Sequence, residues 1–175
     1  MARPLPDLIE PEHAAAQQRH YHITVSQAQF PRLMEMLVGA PQDVDVALRF
    51  FIEPESGFPA FELRYRCNLG LTCQRTLEPY NEPVDQTLTA VLIPSEGAAQ
   101  IVPEAYEPWL LETRQLNPWQ LIEDELMLSV PLVPKKPGEP LVWQDTGQQE
   151  AAEEETQANP FAALKTMMSE AGKKS

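Results

Sequence analysis

A chain of 175 residues with 43% hydrophobic side chains has room for one domain with a real core and for flexible ends, but not for two ordinary domains. Its 18 prolines against 7 glycines call for fixed turns and stretched connections, which suit strands better than long helices. A formal net charge of -13 argues against broad, nonspecific attachment to nucleic acid, whose energy comes from Lys and Arg displacing counterions, and it favours solubility and basic partners.

The first dozen residues read as an extended arm broken by proline, followed by a short polar helix or turn over residues 13–19. Proline, Asp and Glu interrupt this stretch before any apolar core can form, so export is not expected and the cytoplasm is the expected compartment. No apolar run approaches the roughly 20 residues needed to cross a bilayer.

A short strand is expected over residues 20–25. Ser26 then offers an N-cap for a helix carrying Phe30, Leu33, Met34 and Leu37 at helical spacing, stopped by Gly39 and Pro41. Residues 43–52 form the clearest strand, with Val44, Val46, Leu48, Phe50 and Ile52 alternating against a more polar face. Beyond the turn Pro54-Glu55-Ser56-Gly57, a second strand sets Phe61, Leu63, Tyr65 and Cys67 on one side and Glu62, Arg64 and Arg66 on the other, which implies an antiparallel hairpin. The alternation continues through Leu69, Leu71 and Cys73, and another strand is expected over residues 84–93, bounded by Pro83 and Pro94.

Residues 95–108 lack periodicity and read as a mobile loop, with a last short strand over residues 109–112. Asn117 followed by Pro118 marks a helix start, and Trp119, Ile122, Leu126 and Val130 continue it to Pro131. The polar, acidic stretch 141–158 is expected to be a disordered linker. Asn159-Pro160 repeats the helix-start signal, so residues 159–175 read as a short terminal helix with Phe161, Leu164 and Met168 on one face.

The expected fold is therefore α+β. A curled antiparallel sheet, built as a meander of hairpins, packs with two main helices, and a flexible acidic C-terminal tail follows. Residues 1–19 form the arm and residues 20–140 the core domain.

Four segments carry a likeness to a known family. They are Leu71-Thr72-Cys73-Gln74-Arg75; Pro103-Glu104-Ala105-Tyr106-Glu107-Pro108; Ile122-Glu123-Asp124-Glu125-Leu126 leading into Val130-Pro131-Leu132-Val133-Pro134; and Asn159-Pro160-Phe161-Ala162-Ala163-Leu164. In this order the chain resembles the YceD family of large ribosomal RNA subunit accumulation proteins across most of its length. The resemblance implies a bacterial or plastid factor whose loss lowers 23S ribosomal RNA, with no established catalytic activity. Its implied partners are a 23S rRNA precursor, a ribosome-assembly protein or a ribosomal protein.

Relatives in that family carry Cys-Xaa-Xaa-Cys where this chain has Cys73-Gln74-Arg75-Thr76. Many have further cysteines where it has Pro134-Lys135-Lys136-Pro137. A structural zinc needs four Cys or His ligands. Cys67, Cys73, His13, His20 and His22 remain without paired spacing, so neither metal nor cofactor is expected. The two cysteines are expected to be thiols.

Arg49, Arg64 and Arg66 lie on the polar faces of consecutive strands and would form a cationic stripe near Gln74 and Arg75, suited to RNA phosphates. The favoured alternative pairs them with Asp43, Asp45 and Glu62. Glu123, Asp124 and Glu125 point about 100° apart on a helix and read as dipole-stabilising carboxylates rather than an acid/base set. The Phe161, Leu164 and Met168 stripe needs a partner, either a groove of another protein or its own domain. No phosphate loop, nucleophile triad, metal-hydrolase motif or aromatic RNA-recognition signature is legible, so no enzyme, no membrane association and no small-molecule substrate are expected.

Overall fold

Alternation in β2 (Asp43–Ile52) sends Val44, Val46, Leu48 and Phe50 into the core, each at most 1% exposed. The computed structural model describes residues 5–111 and 113–138, and all of them belong to one unit, Met1–Gly138. The expected linker and the terminal stripe of Phe161, Leu164 and Met168 lie outside the described residues.

β2 is the second strand of a meander formed by β1 (His20–Ser26), β2, β3 (Pro59–Thr72) and β4 (Pro79–Ile93), each antiparallel to the next. A fifth strand, β5 (Glu107–Leu110), pairs parallel to the end of β4 over Ala90–Ile93, so the sheet is mixed rather than wholly antiparallel. In register, Leu48 faces Leu63 and Leu63 faces Leu88, which stacks one apolar row across three strands. The expected boundary at Pro83 is overturned, because Pro83 sits inside β4 opposite Asn68. There β4 has no second neighbour among the described residues, and an edge strand is where a residue without an N–H is tolerated.

Three helices cover the inner face: α1 (Pro11–Ala16), α2 (Pro31–Met34) and α3 (Pro118–Leu128). α1 buries Ala14 and Ala15, and Ile9 just before it exchanges two backbone hydrogen bonds with Leu116, at 2.8 and 2.7 Å. The N-terminal segment is thereby stitched to the core. Asn117 starts α3 as expected, its Oδ1 accepting from the N–H groups of Trp119 at 3.0 Å and Gln120 at 3.1 Å. Leu121, Ile122 and Leu126 bury the stripe.

The continuous helix expected from Ser26 does not form. Ser26 caps only a 3₁₀ turn, Gln27–Gln29, and Phe30 departs at φ -115, ψ 83 before Pro31 opens the four-residue α2. A residue preceding proline is kept out of the helical region, so the apolar spacing survives while the helix breaks.

Residues 95–108, expected to be a mobile loop, also differ from that reading. Their 3₁₀ turn, Glu96–Ile101, packs with Val102 and Tyr106 over Ala60, Val91 and Ile93 on the outer sheet face. The unbroken apolar run Ala90-Val91-Leu92-Ile93 is the signal for this, since a strand buried on both faces has no alternation.

Candidate binding surfaces

Beyond the patch covered by residues 96–106, the outer face is open and polar. Arg49 stands opposite Glu62 in register and binds it at 3.2 Å, with its guanidinium 5.2 Å from the Phe51 ring centre. Arg66 binds Asp85 at 2.9 Å, and Arg64 reaches the same carboxylate at 3.3 Å. Their hydrogen bonds and charges, Arg66 first, hold the Asp85 carboxyl below its usual range. The pairing with Glu62 matches expectation, whereas Asp43 and Asp45 are not the partners of Arg64 and Arg66. Asp45 instead binds His22 at 2.8 Å, and the acceptor for both arginines comes from β4, whose register a two-strand reading does not reveal. Exposed pairs of this kind contribute little to stability and are screened by salt.

The stripe does not extend to Arg75. Arg66 precedes the end of β3 by six residues, or about 20 Å of strand rise, and Gln74 and Arg75 lie beyond it in the connection to β4. That connection is closed by hydrogen bonds from Cys73 N to Glu78 O at 2.9 Å and from Leu77 N to Cys73 O at 2.8 Å. Residues following α3 clasp it: Gln74 N donates to Pro134 O at 2.9 Å, Lys136 N to Cys73 Sγ at 3.4 Å, and Lys136 Nζ pairs with Glu78 at 3.3 Å. The two segments that differ from the cysteine pattern of the relatives thus meet in space. Among the described residues no group of three or more His, Cys, Asp or Glu could hold a metal ion.

The two thiols have opposite characters. Burial pushes Cys67 up to about 11, while donors led by the Lys136 backbone N–H, then Thr76, bring Cys73 down to about 6 from an ordinary value near 9. A depressed folded value makes the contribution of Cys73 to stability complete above pH 9 and absent below about pH 6. The melting-temperature advantage of the native chain over Cys73→Ala should therefore widen as pH rises across that window. A constant difference would show that the thiolate is not what the clasp stabilises.

Sequence reasoning missed the role of Glu123. This residue is 8% exposed, and its side chain accepts hydrogen bonds from Arg32 N at 2.8 Å, Arg32 Nε at 2.9 Å and Leu33 N at 3.4 Å. It serves as the cap that α2 lacks locally, while Asp124 adds a bond to Arg32 Nη2 at 2.7 Å. The one available signal was Phe30-Pro31, a helix start with no Ser, Thr, Asp or Asn before it.

A cleft of about 380 Å³ near Glu10, Phe58, Leu92 and Arg114 has no His, Cys or Lys in its lining. No described helix is long and apolar enough to cross a membrane. What the geometry defines is an α+β domain with one helix-covered face and two solvent-facing polar surfaces, the open sheet and the clasped hairpin tip. Residues 61–168 match the family model for the large ribosomal RNA subunit accumulation protein YceD. The YceD protein of Haemophilus influenzae is 31% identical over 133 residues, covering 74% of this chain and 75% of the relative. The chain belongs to the YceD family. No solved structure gives a significant match.

Proposed function

We propose that this protein is a non-enzymatic, cytoplasmic accessory factor for 23S ribosomal RNA accumulation and large-subunit biogenesis, acting by binding pre-ribosomal RNA or an assembly protein. Membership of a family described by large ribosomal RNA accumulation carries the reading. It is supported by a fold that offers surfaces, with arginines on an open sheet face and at a hairpin tip.

A net charge of -13 favours a second reading, in which the chain is an adaptor or chaperone for a basic ribosomal protein and its acidic groups stand in for RNA. Deleting the gene should lower 23S relative to 16S ribosomal RNA. In-cell crosslinking of the full chain should recover large-subunit RNA. Recovery of one basic protein from nuclease-treated extract, without RNA crosslinks, would replace the first mechanism with the second. Unchanged 23S RNA in the deletion strain would defeat both.

A further inference from the structure

β1 is the outermost strand of the sheet and pairs with β2 alone. Which of its backbone groups face β2 follows from the bonds just beyond its two ends. Phe50 N donates to Arg19 O and Gln27 N to Gln42 O, both at 2.8 Å, in unbroken register with the pairs between them. Bonded pairs recur at every second residue of an antiparallel ladder, so Tyr21, Ile23 and Val25 turn their N–H and C=O groups to β2. Those of His20, His22 and Thr24 turn outward, and among the described residues no other element bonds to them.

The side chains alternate in step. Tyr21 is buried, while Ile23 and Val25 pack against the core yet are only half-buried, so the inner apolar row ends at β1 incompletely covered. His20, His22 and Thr24 stand on the outer face, where β2 contributes Asp43 and Asp45, and the Asp45 side chain is 47% exposed even while bound to His22. Outermost strands commonly carry proline or charged side chains that discourage a further strand. β1 has no Pro, Lys, Arg, Asp or Glu, whereas β5 contains Pro108 and the free part of β4 contains Pro83.

We propose that β1 receives an extended segment of a basic protein, added as a further strand. The assignment rests on the second reading above, in which the chain is an adaptor for a basic ribosomal protein. In strand addition, main-chain bonds supply the affinity and alternate side chains the specificity. Alternate residues of the incoming segment are apolar and cover Ile23 and Val25, and those between them are cationic and extend over His22 and Thr24 toward Asp43 and Asp45. Charge selects the occupant: at -13 a second copy meets like charge, whereas a basic segment is drawn in.

The probe is a synthetic peptide of about seven alternating lysines and valines, an ordinary strand length. Amide hydrogen exchange of the full chain, read residue by residue by NMR, should find His20, His22 and Thr24 exchanging fast alone and slowed about tenfold or more by saturating peptide. Tyr21, Ile23 and Val25 should be slow in both states. Thr24→Pro removes an outward N–H without breaking a bond to β2, so it should fold and bind the peptide about tenfold or more weakly in fluorescence anisotropy. If that variant does not fold, the native chain decides with two N-methylated peptides, one methylated on every lysine and one on every valine. Only alternate N–H groups of an added strand face β1, so one peptide should lose binding and the other keep it. Equal behaviour of the two, or peptide binding that leaves exchange at His20, His22 and Thr24 unchanged, would overturn the assignment. Basic proteins stripped from the large ribosomal subunit by salt are the second probe. Their equal retention by the native chain and Thr24→Pro would overturn the assignment and leave the adaptor reading intact, whereas failure of both probes to bind would remove both. Slowed exchange at the three outward residues of the free chain as its concentration rises would give β1 to a second copy and overturn the basic occupant.

Discussion

Alanine at Gly70 should cost about 2–4 kcal/mol of stability, from over-packing plus a weakened hydrogen bond, and lower the melting temperature by roughly 10 °C. A Cβ at this position would overlap the carbonyl oxygen of Val38, a backbone atom that cannot swing aside as a long side chain can. Val38 N also donates to Gly70 O at 2.8 Å, so the loop after α2 is docked on β3 by the very approach that a methyl group would block. Relief requires the loop to lift, loosening Leu33 and Leu37 above the sheet. Thermal unfolding followed by circular dichroism reads the effect. A native melting temperature in Gly70→Ala would mean that this loop is not packed as described. Gly57→Ala makes a useful contrast, since no atom lies near its Cβ position and its cost is confined to the left-handed backbone at φ 73.

Removing the Glu123 carboxylate should be the second large effect, about 2–3 kcal/mol for Glu123→Ala. The loss is less than that of a fully buried ion pair because the Arg32 side chain is 46% exposed and can turn to water. What water replaces poorly is the acceptor for the N–H groups of Arg32 and Leu33, the latter wholly buried. Glu123→Gln keeps an acceptor oxygen and should recover more than half of the loss. Asp124→Ala, one position along on a partly exposed side chain, should shift the melting temperature little. Equal effects at positions 123 and 124 would show that general charge near α3, rather than the cap on α2, sets the stability. All three variants can be read in one series of urea unfolding curves.

The residues differ in how far their roles are legible in sequence, and the difference follows the range of the interaction. Alternation in Asp43–Ile52 and the Asn117-Pro118 pair are local, and the structure matches them closely. The helix expected after Ser26 fails because apolar spacing outweighed Pro31, although a proline's effect on Phe30 is equally local and was available. Pro83 misleads for a subtler reason. Whether proline ends a strand depends on whether that strand has neighbours on both sides, which is a fact about topology.

The candidate sites follow the same rule. Glu62 is legible as a partner for Arg49 because one short turn joins their strands, whereas Asp85 requires the register of a third. Glu123 and Arg32 are 91 residues apart, and nothing in either local sequence names the other. Gln74 and Arg75 are visible as singular residues, yet their company with Lys135 and Lys136 appears only once residues 132–136 fold back on the hairpin.

The prolines of β4 carry a final implication. From Pro79 to Thr89 this strand has a flank with no partner strand among the described residues, the sort of border on which another polypeptide can dock by backbone pairing and seed aggregation. Pro79 and Pro83 interrupt the ladder of donors along that border, so an incoming strand meets gaps instead of a continuous template. Among the described residues, this long margin is thus ill-suited to recruiting copies of the chain.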